Sequence, residues 1–321
     1  GFGTSAVTLD LQEGGTYKFD QSHSSNSGHP FRFGTSANGS DYTTGVTTSG
    51  TPGNSGAYTQ ITVAAGASTL YYACSAHSGM GGQANTNSTS GSSNFSGTIQ
   101  SNNSANVDAG FSIVSYTGGG AAGTVGHGLS KIPEMVIVKR RSGTDPWQVL
   151  HHGIASDYET DTLVLQDTDA ALDLNTIWND EKPTASLFSV GTSNNVSGNG
   201  DTYIAYCFHS VDGYSKVGSY VGNGNADGTF VYTGFKPMMV ISKYTGAENW
   251  NIIDTKRSPH NLMEDLLKPD SSAAEIDTQI DIDFLSNGFK PRINSGFLNG
   301  NGHTIIYIAF AETPFKYSNA R

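Results

Sequence analysis

The sequence predicts an all-β protein built from several small β-sandwiches, and three observations support this fold class. Glycine accounts for 40 of the 321 residues, while charged residues make up only 14% of the chain. Short runs of alternating apolar and polar residues recur between Gly, Pro, Asn and Ser, which is typical of short strands joined by turns. The chain after residue 109 also repeats itself at a spacing of about 104 residues, which indicates duplicated domains.

Composition and charge exclude some classes of function. The formal net charge is −11, from 17 basic and 28 acidic residues. An acidic surface repels nucleic acid, so we expect no nucleic-acid partner. No stretch approaches 18 consecutive apolar residues, so we expect no membrane insertion. The chain begins at Gly1 without Met, which indicates a processed product or a fragment of a longer chain.

Residues 1–82 are predicted to form an N-terminal β-sandwich. Its strands are expected at the alternating runs Ala6–Leu11, Thr16–Phe19, Pro30–Phe33, Tyr58–Val63 and Thr69–Ala73. Turn residues separate these runs, and helical periodicity is missing before residue 110.

Residues 83–109 are predicted to be a Gly/Ser/Asn linker or arm. Between residues 81 and 106, only Phe95 and Ile99 are apolar apart from alanines. Such a segment cannot offset its ordering entropy by burying apolar surface alone. Two alternatives stay open, a flexible linker or an extended arm that orders against a neighbouring subunit.

Residues 110–216 and 217–321 are predicted to be two homologous, sandwich-like β repeats. The matching segments, first copy then second, are Ser115–Gly120 with Ser219–Gly224, Ile132–Lys139 with Lys236–Lys243, Trp147 with Trp250, and Gly198–Ile204 with Gly300–Ile306. The Trp residues are expected to anchor cores rather than to bind ligands. A short helix is expected over Asn261–Lys268.

One glycine motif has the spacing of a nucleotide-binding loop, but its surroundings argue against nucleotide binding. Gly118–Gly123 satisfies G-x-G-x-x-G, yet the residues that follow cannot sustain the helix that such a site needs. The second copy spaces its glycines differently, so the shared requirement is a tight turn. The usual nucleophile, zinc-protease and phosphate-loop motifs are also missing, and we predict that the protein is not an enzyme. Cys74 and Cys207 are predicted to lie in different domains without a disulfide.

The most specific chemical motif follows the last strand of the N-terminal sandwich. Cys74, His77 and Met80 form C-x-x-H-x-x-M directly after an apolar run, and His29 lies about 45 residues upstream. A thiolate, two imidazoles and a thioether are the donors of a blue-copper site, in which Met is a weak axial ligand. The sequence therefore predicts a metal site formed by His29, Cys74, His77 and Met80, with His23 as the less favoured upstream ligand.

These residues resemble the cupredoxin family, and the resemblance covers about residues 1–82. It implies a cupredoxin-like β-sandwich with a type 1-like copper site. An alternative is a cupredoxin-like sandwich that keeps the four residues without copper, or with a purely structural role for them.

Several longer segments of the sequence resemble virion proteins of marine tailed phages. The N-terminal phrases that carry this resemblance are Tyr17–Ser22, Tyr42–Thr47 and Cys74–Gly82. The phrases that resemble repeat domains of phage tail fibres are Pro133–Arg140, Tyr220–Gly224 and Asp283–Lys290. The resemblance implies a structural virion protein, a tail fibre or related appendage that serves host-surface attachment.

From this resemblance we expect a virion-surface or extracellular location. The expected partners are other copies of the chain in a homotrimer or repeating array, other virion proteins, and a host-surface glycan or receptor. Three alternatives remain, namely a secreted glycan-binding module, an extracellular filament subunit, and a copper-binding redox protein of cupredoxin type.

Overall fold

The computed structural model describes residues 6–86, 91–277 and 280–313, and its regular elements are almost all strands. Within these residues, 24 strands are accompanied by three four-residue α-helices and one 3-10 helix, which confirms the predicted all-β class. None of the described helices is long and apolar enough to cross a membrane. The chain divides into two units, Gly1–Ser93 with Asn102–Ser104 and Asn94–Ser101 with Ala105–Arg321.

The first unit is a sandwich of two sheets. Its strands are β1 (Leu9–Asp10), β2 (Thr16–Asp20), β3 (Phe31–Gly34), β4 (Val46–Ser49), β5 (Tyr58–Thr62), β6 (Leu70–Cys74) and β7 (Gly81–Asn85), with a 3-10 helix at Ser24–Asn26. One sheet has the order β1-β7-β6-β3 and the other has the order β2-β5-β4. The buried side chains of Leu9, Phe33, Ile61 and Leu70 pack together in one core cluster.

The segment predicted as a linker or arm contains regular structure. It includes β8 (Ser92–Asn94), β9 (Ser101–Asn106) and most of β7. Asn85 and Asn102 donate to the two carboxylate oxygens of Asp10, at 2.7 and 3.0 Å. The prediction of an unstructured linker is therefore wrong for the described residues of 83–109. Polar side chains and backbone groups hold the segment by hydrogen bonds, which a count of apolar residues does not detect.

The second unit contains both predicted repeats. The first repeat comprises β10 (Phe111–Thr117), β11 (Gly123–Gly126), β12 (Met135–Arg140), β13 (Gln148–His151), β14 (Asp161–Val164), β15 (Leu172–Asp173), α1 (Asn175–Trp178), β16 (Leu187–Val190), α2 (Asn194–Ser197) and β17 (Thr202–Phe208). The second repeat comprises β18 (Ser215–Val221), β19 (Val231–Tyr232), β20 (Pro237–Tyr244), β21 (Trp250–Asp254), β22 (Ile282–Leu285), β23 (Gly288–Pro291), α3 (Gly296–Asn299) and β24 (Thr304–Ala311).

The two repeats share one topology. In the first repeat the large sheet includes the strands β15-β14-β13-β12-β17-β10 in this order, and in the second the large sheet runs β21-β20-β24-β18. The four strands β13-β12-β17-β10 therefore correspond in order to β21-β20-β24-β18. Each repeat adds a smaller sheet, in which β11 pairs with β16 in the first and β19 pairs with β23 in the second.

The glycine turn has the same geometry in both repeats. The amide of Gly118 donates to the carbonyl of Asp201 at 2.9 Å, and the amide of Gly222 donates to that of His303 at 2.9 Å. Gly120 and Gly224 both adopt positive φ, 74° and 65°, which favours glycine. The element that follows Gly118–Gly120 is strand β11, so the predicted tight turn is confirmed.

The repeats pack against each other through their large sheets. One apolar cluster joins Met135, Val149, Ile154 and Leu163 of the first repeat to Val217, Trp250, Ile306 and Ile308 of the second. Separate clusters lie between the large and small sheets of each repeat. The two repeats thus form one body of four layers, with the two large sheets in the middle.

Two local predictions have different outcomes. Asn261–Lys268 is not helical, because Met263 and Leu266 instead form isolated bridges with Ile282 and Ile276 and enter the core of the second repeat. The spacing of these two apolar residues fits a helix as well as a bridged loop. Cys74 and Cys207 are both free and buried, in different units, as predicted.

Candidate metal centre in the first unit

Strand pairing brings two distant parts of the chain to one end of the first unit. Cys74 is the last residue of β6 and lies opposite Phe31 of the antiparallel strand β3. His29 precedes Phe31 by two residues, so it lies at the same end of the sheet as the loop that follows Cys74. His77 lies in that loop.

Three of the four predicted ligands come together. The Sγ atom of Cys74 lies 3.3 Å from Nδ1 of His77 and 3.8 Å from Nδ1 of His29. The two imidazole rings have centroids 4.6 Å apart. All three donor atoms lie within 4.8 Å of one another, and the thiol is buried whereas the His77 ring is exposed. The cluster is therefore closed on the sulfur side and open to solvent on the His77 side.

The loop between Cys74 and Met80 is fixed by backbone hydrogen bonds. The amide of Cys74 donates to the carbonyl of Met80 at 2.8 Å, and the amide of Ser75 donates to that of Pro30 at 2.9 Å. Gly79 adopts a φ of 79°, and its amide donates to Oδ1 of Asn38 at 2.8 Å. These bonds anchor the ligand loop to β3 and to the turn after it.

Two buried polar side chains hold the backbone of His29 and Phe31 in place, and sequence reasoning missed both. Nε2 of Gln21 donates to the carbonyl of His29 at 2.9 Å, while its Oε1 accepts from the amide of Phe31 at 3.2 Å. The hydroxyl of Thr59 donates to the carbonyl of Phe31 at 2.9 Å. These residues lie on three separate segments, so no local spacing could have identified them.

Met80 and His23 are the other two predicted ligands. The side chain of Met80 is 50% exposed and borders a shallow groove with Val7 and Tyr72. Nδ1 of His23 accepts from the amide of Ser25 at 3.3 Å and caps the 3-10 helix. The structure therefore places His29, and not His23, in the cluster.

The donor atoms have the spacing that a small metal ion requires. Metal–thiolate and metal–imidazole bonds of about 2.3 and 2.0 Å, at angles of about 110–120°, put sulfur and nitrogen about 3.5–3.7 Å apart. The two distances from Cys74 Sγ, 3.3 and 3.8 Å, bracket this range. One thiolate and two imidazoles suit copper or zinc better than Mg²⁺ or Ca²⁺, which prefer oxygen ligands. The residues present therefore fit a copper-type ion.

The fold and the cluster define an all-β protein with two parts, a sandwich that carries a Cys–His–His cluster and a duplicated four-layer body. Residues 83–314 match the model of a family described as a domain of unknown function, DUF7483. Because this match covers more than half of the chain, the protein belongs to that family. The cluster lies in the part of the chain before the match. No protein with a curated description matches the sequence.

Proposed function

We propose that this protein is a structural component of a phage virion, a tail fibre or related appendage that serves host-surface attachment. The observation that carries the proposal is the duplicated body, in which two copies of one sandwich are joined through their large sheets. The resemblance of the repeats to phage fibre domains supports the same function. The family match assigns no activity, so the proposal rests on architecture and resemblance.

The architecture has the properties that an appendage needs. Each large sheet is covered by apolar contacts on both faces, which makes the body stiff and limits local unfolding. Turns between strands are tight, and many use glycines with positive φ. A stiff, strand-rich body transmits force and resists proteolysis.

The proposal includes location and partners. The protein lies on the virion surface or outside the cell, and it assembles with other copies in a homotrimer or repeating array. It contacts other virion proteins at one end and a host glycan or receptor at the other. A secreted glycan-binding module or filament subunit would share the fold but would not be incorporated into particles.

Particle incorporation tests this function. Gradient-purified virions should contain the protein at a fixed copy number, measured by quantitative mass spectrometry. Antibodies raised against residues 94–313 should label an appendage in electron micrographs and reduce adsorption to host cells. If the protein is found only in the particle-free fraction, the virion function is wrong and a secreted module is favoured.

A second candidate function is copper-type metal binding by the first unit, which the Cys–His–His cluster favours. His29, Cys74 and His77 would hold the ion, and the cupredoxin resemblance implies Met80 as the fourth donor. A bound copper ion would supply one-electron redox chemistry or act as a cross-link. The chain itself supplies the hydrogen-bonded loop and the buried Gln21 and Thr59, which hold the backbone of His29 and Phe31 beside the cluster.

Copper titration of the purified chain tests this second function. We expect one equivalent of Cu(II) to bind with a visible thiolate charge-transfer band, which Cys74→Ser and His29→Ala should abolish. His23→Ala is the matched control and should leave the band unchanged, while Met80→Leu should retain the stoichiometry. Circular dichroism of each variant establishes that the sandwich remains folded. Copper binding that survives Cys74→Ser would assign the metal to another site.

A further inference from the structure

The small sheets of the two repeats differ at their outer edges. In the first repeat the edge strand β11 is covered by residues Asn94–Ser101, here called the covering segment, which belong to the same unit. Isolated bridges join Gly97 and Ile99 of the segment to Val125 of β11. The edge of the first repeat is therefore occupied by the chain's own backbone.

Backbone and hydroxyl hydrogen bonds hold the covering segment. The amides of Thr98 and Ile99 donate to the carbonyl of Thr124 at 3.1 and 3.0 Å. The amide of Thr124 donates to Oγ1 of Thr98 at 2.9 Å, and the hydroxyl of Ser101 donates to the carbonyl of Gly126 at 2.7 Å. The side chain of Ile99 packs against the core cluster of the first repeat. This edge thus recognises an extended, uncharged segment with one aliphatic side chain.

Strand β19 is the counterpart of β11 in the second repeat. Val125 pairs with Phe188, and Val231 pairs with Phe289 in the same antiparallel arrangement. Both valines are buried, at 0% and 4% exposure. The turns after the two strands also match, because Gly128 and Gly234 both adopt positive φ. The outer side of β19 therefore corresponds to the side of β11 that the covering segment occupies.

This second edge is open within the described part of the chain. Strand β19 pairs only with β23 there, so its outer side has no strand partner. Phe230 and Tyr232 are 45% and 65% exposed at this edge. Residues 228–235 carry no charge and no proline. Natural proteins usually protect an edge strand with charges, proline or a covering element, and β19 lacks the first two.

We propose that the outer edge of β19 binds an extended segment of a partner polypeptide, which adds a strand to the small sheet of the second repeat. The partner segment is uncharged and carries one aliphatic residue, as the covering segment does. It has small residues where it crosses Thr229 and Tyr232, because these replace Gly123 and Gly126 of the first repeat. A Cβ atom at Gly123 would lie 2.8 Å from Oγ1 of Thr98, and a Cβ atom at Gly126 would lie 2.6 Å from Oδ1 of Asn94, so a larger residue at either position leaves less room for the bound segment. Main-chain hydrogen bonds supply affinity and the aromatic side chains add contact area.

A peptide derived from the covering segment provides the probe. It contains residues 96–102 with glycine in place of Thr98, carries a fluorescent label, and is titrated into the full chain while anisotropy is measured. We expect saturable binding that weakens at least tenfold in the double variant Phe230→Lys/Tyr232→Lys. The matched control Leu172→Lys/Leu174→Lys replaces two other exposed apolar residues, and it should bind as the unaltered chain does. A peptide with proline in place of Ile99 should bind at least tenfold more weakly, because it lacks an amide that donates in the first repeat.

Hydrogen–deuterium exchange locates the bound peptide. Protection of residues 229–233 supports the proposal, whereas protection confined to residues 123–126 would overturn it. Absence of binding by the full chain would also overturn it. If a chain ending at residue 313 binds the peptide and the full chain does not, the last eight residues are the occupant of the edge. A dimer of the full chain that the Phe230→Lys/Tyr232→Lys variant abolishes would assign the edge to a second copy. Either result would reject a separate partner.

Discussion

The two repeats of the second unit have the same topology but use it differently. The turn glycines, the strand order and the pairing registers are the same in both repeats. The residues differ at the apolar contact between the two large sheets, here called the seam, and also at the sheet edges and at some paired surface positions. Trp250 is buried at the seam between the repeats, while its counterpart Trp147 is half-buried beside Tyr206. Turns and inward-facing side chains therefore define the fold, and the remaining positions are free to diverge.

The tryptophan pair predicts the largest difference between the repeats. Trp250 is 1% exposed, and its Nε1 donates to the carbonyl of Val164 in the first repeat at 2.9 Å. Trp250→Ala should lower the free energy of unfolding by about 3–5 kcal/mol, as expected for a buried tryptophan. Trp147→Ala should cost less than half of this, because the side chain is only half-buried.

Urea unfolding monitored by circular dichroism measures both tryptophan variants under the same conditions. Trp178, which is buried in the first repeat, remains as a fluorescence reporter in each variant. Equal losses for Trp147→Ala and Trp250→Ala would show that the seam does not depend on Trp250.

These tryptophans show what the sequence could predict. The duplication, the strand-rich repeats and the glycine turn follow from repeated segments, because a repeated pattern reports a repeated fold. That Trp250 is buried and Trp147 is half-buried does not follow, since it depends on how the two large sheets meet. Order in the described residues of 83–109 does not follow either, because polar hydrogen bonds, and not apolar burial, hold them.

The candidate metal centre was predictable to a similar extent. Cys74 and His77 lie three residues apart on one loop, so a local motif is enough to pair them. His29 is identifiable because the donor chemistry calls for a second imidazole. Gln21 and Thr59 carry no such signal, because their role exists only once β2, β3 and β5 are assembled. The exposure of Met80 likewise depends on the conformation of the loop.

We also expect the free energy of unfolding to depend on pH through a residue at the seam that only the first repeat contains. His151 is buried there, with Nε2 3.2 Å from the carbonyl of Tyr307, whereas the corresponding residue of the second repeat is Asp254, paired with Arg257. Burial, with a smaller contribution from nearby His152, lowers the pKa of His151 to about 3. An unfolded histidine has a pKa of about 6.5, so between about pH 6.5 and 3 only the unfolded state gains this proton. The folded state therefore loses stability as pH falls through this window.

Comparing unfolding at two pH values tests the contribution of His151. Between pH 6.5 and 4.5 the loss attributable to this residue should be about 2–3 kcal/mol. In His151→Gln the pH dependence should be smaller by that amount, because glutamine does not titrate. His260→Gln, at an exposed histidine, is the control and should behave as the unaltered chain. An unchanged pH dependence in His151→Gln would show that His151 can be protonated in the folded state.

A third pair of matched residues, Tyr116 and Tyr220, should contribute equally to the stability of the two repeats. The hydroxyl of Tyr116 donates to the carbonyl of Val196 at 2.8 Å, and that of Tyr220 donates to the carbonyl of Leu298 at 2.7 Å. Both bonds are buried and tie a strand of the large sheet to a short helix. Tyr116→Phe and Tyr220→Phe should each cost about 1–2 kcal/mol, since each leaves one buried carbonyl without this donor. Tyr232→Phe, at a tyrosine that is 65% exposed, should have almost no effect. If one of the two buried variants costs more than twice the other, the repeats would not share this anchor equally.

The smallest expected effect concerns one surface position that the two repeats fill with different chemistry. Arg140 forms an ion pair with Asp201 at 2.7 Å, whereas their counterparts Tyr244 and His303 stack with centroids 4.0 Å apart and planes 6° apart. Salt shortens the Debye length from about 8 Å at 0.15 M to about 3 Å at 1 M, and it therefore weakens an ion pair that solvent reaches but not a ring stack. A double-mutant cycle with Arg140→Ala and Asp201→Ala should show coupling that shrinks in 1 M NaCl.

The coupling between Tyr244 and His303 should stay constant as salt is added. The exchange variant Arg140→Tyr/Asp201→His should fold and should lose the salt dependence, because it places the pair of the second repeat in the frame of the first. Salt-sensitive coupling in that variant would mean that Asp145, which bonds Arg140 at 2.9 Å in the unaltered chain, also acts on the exchanged pair.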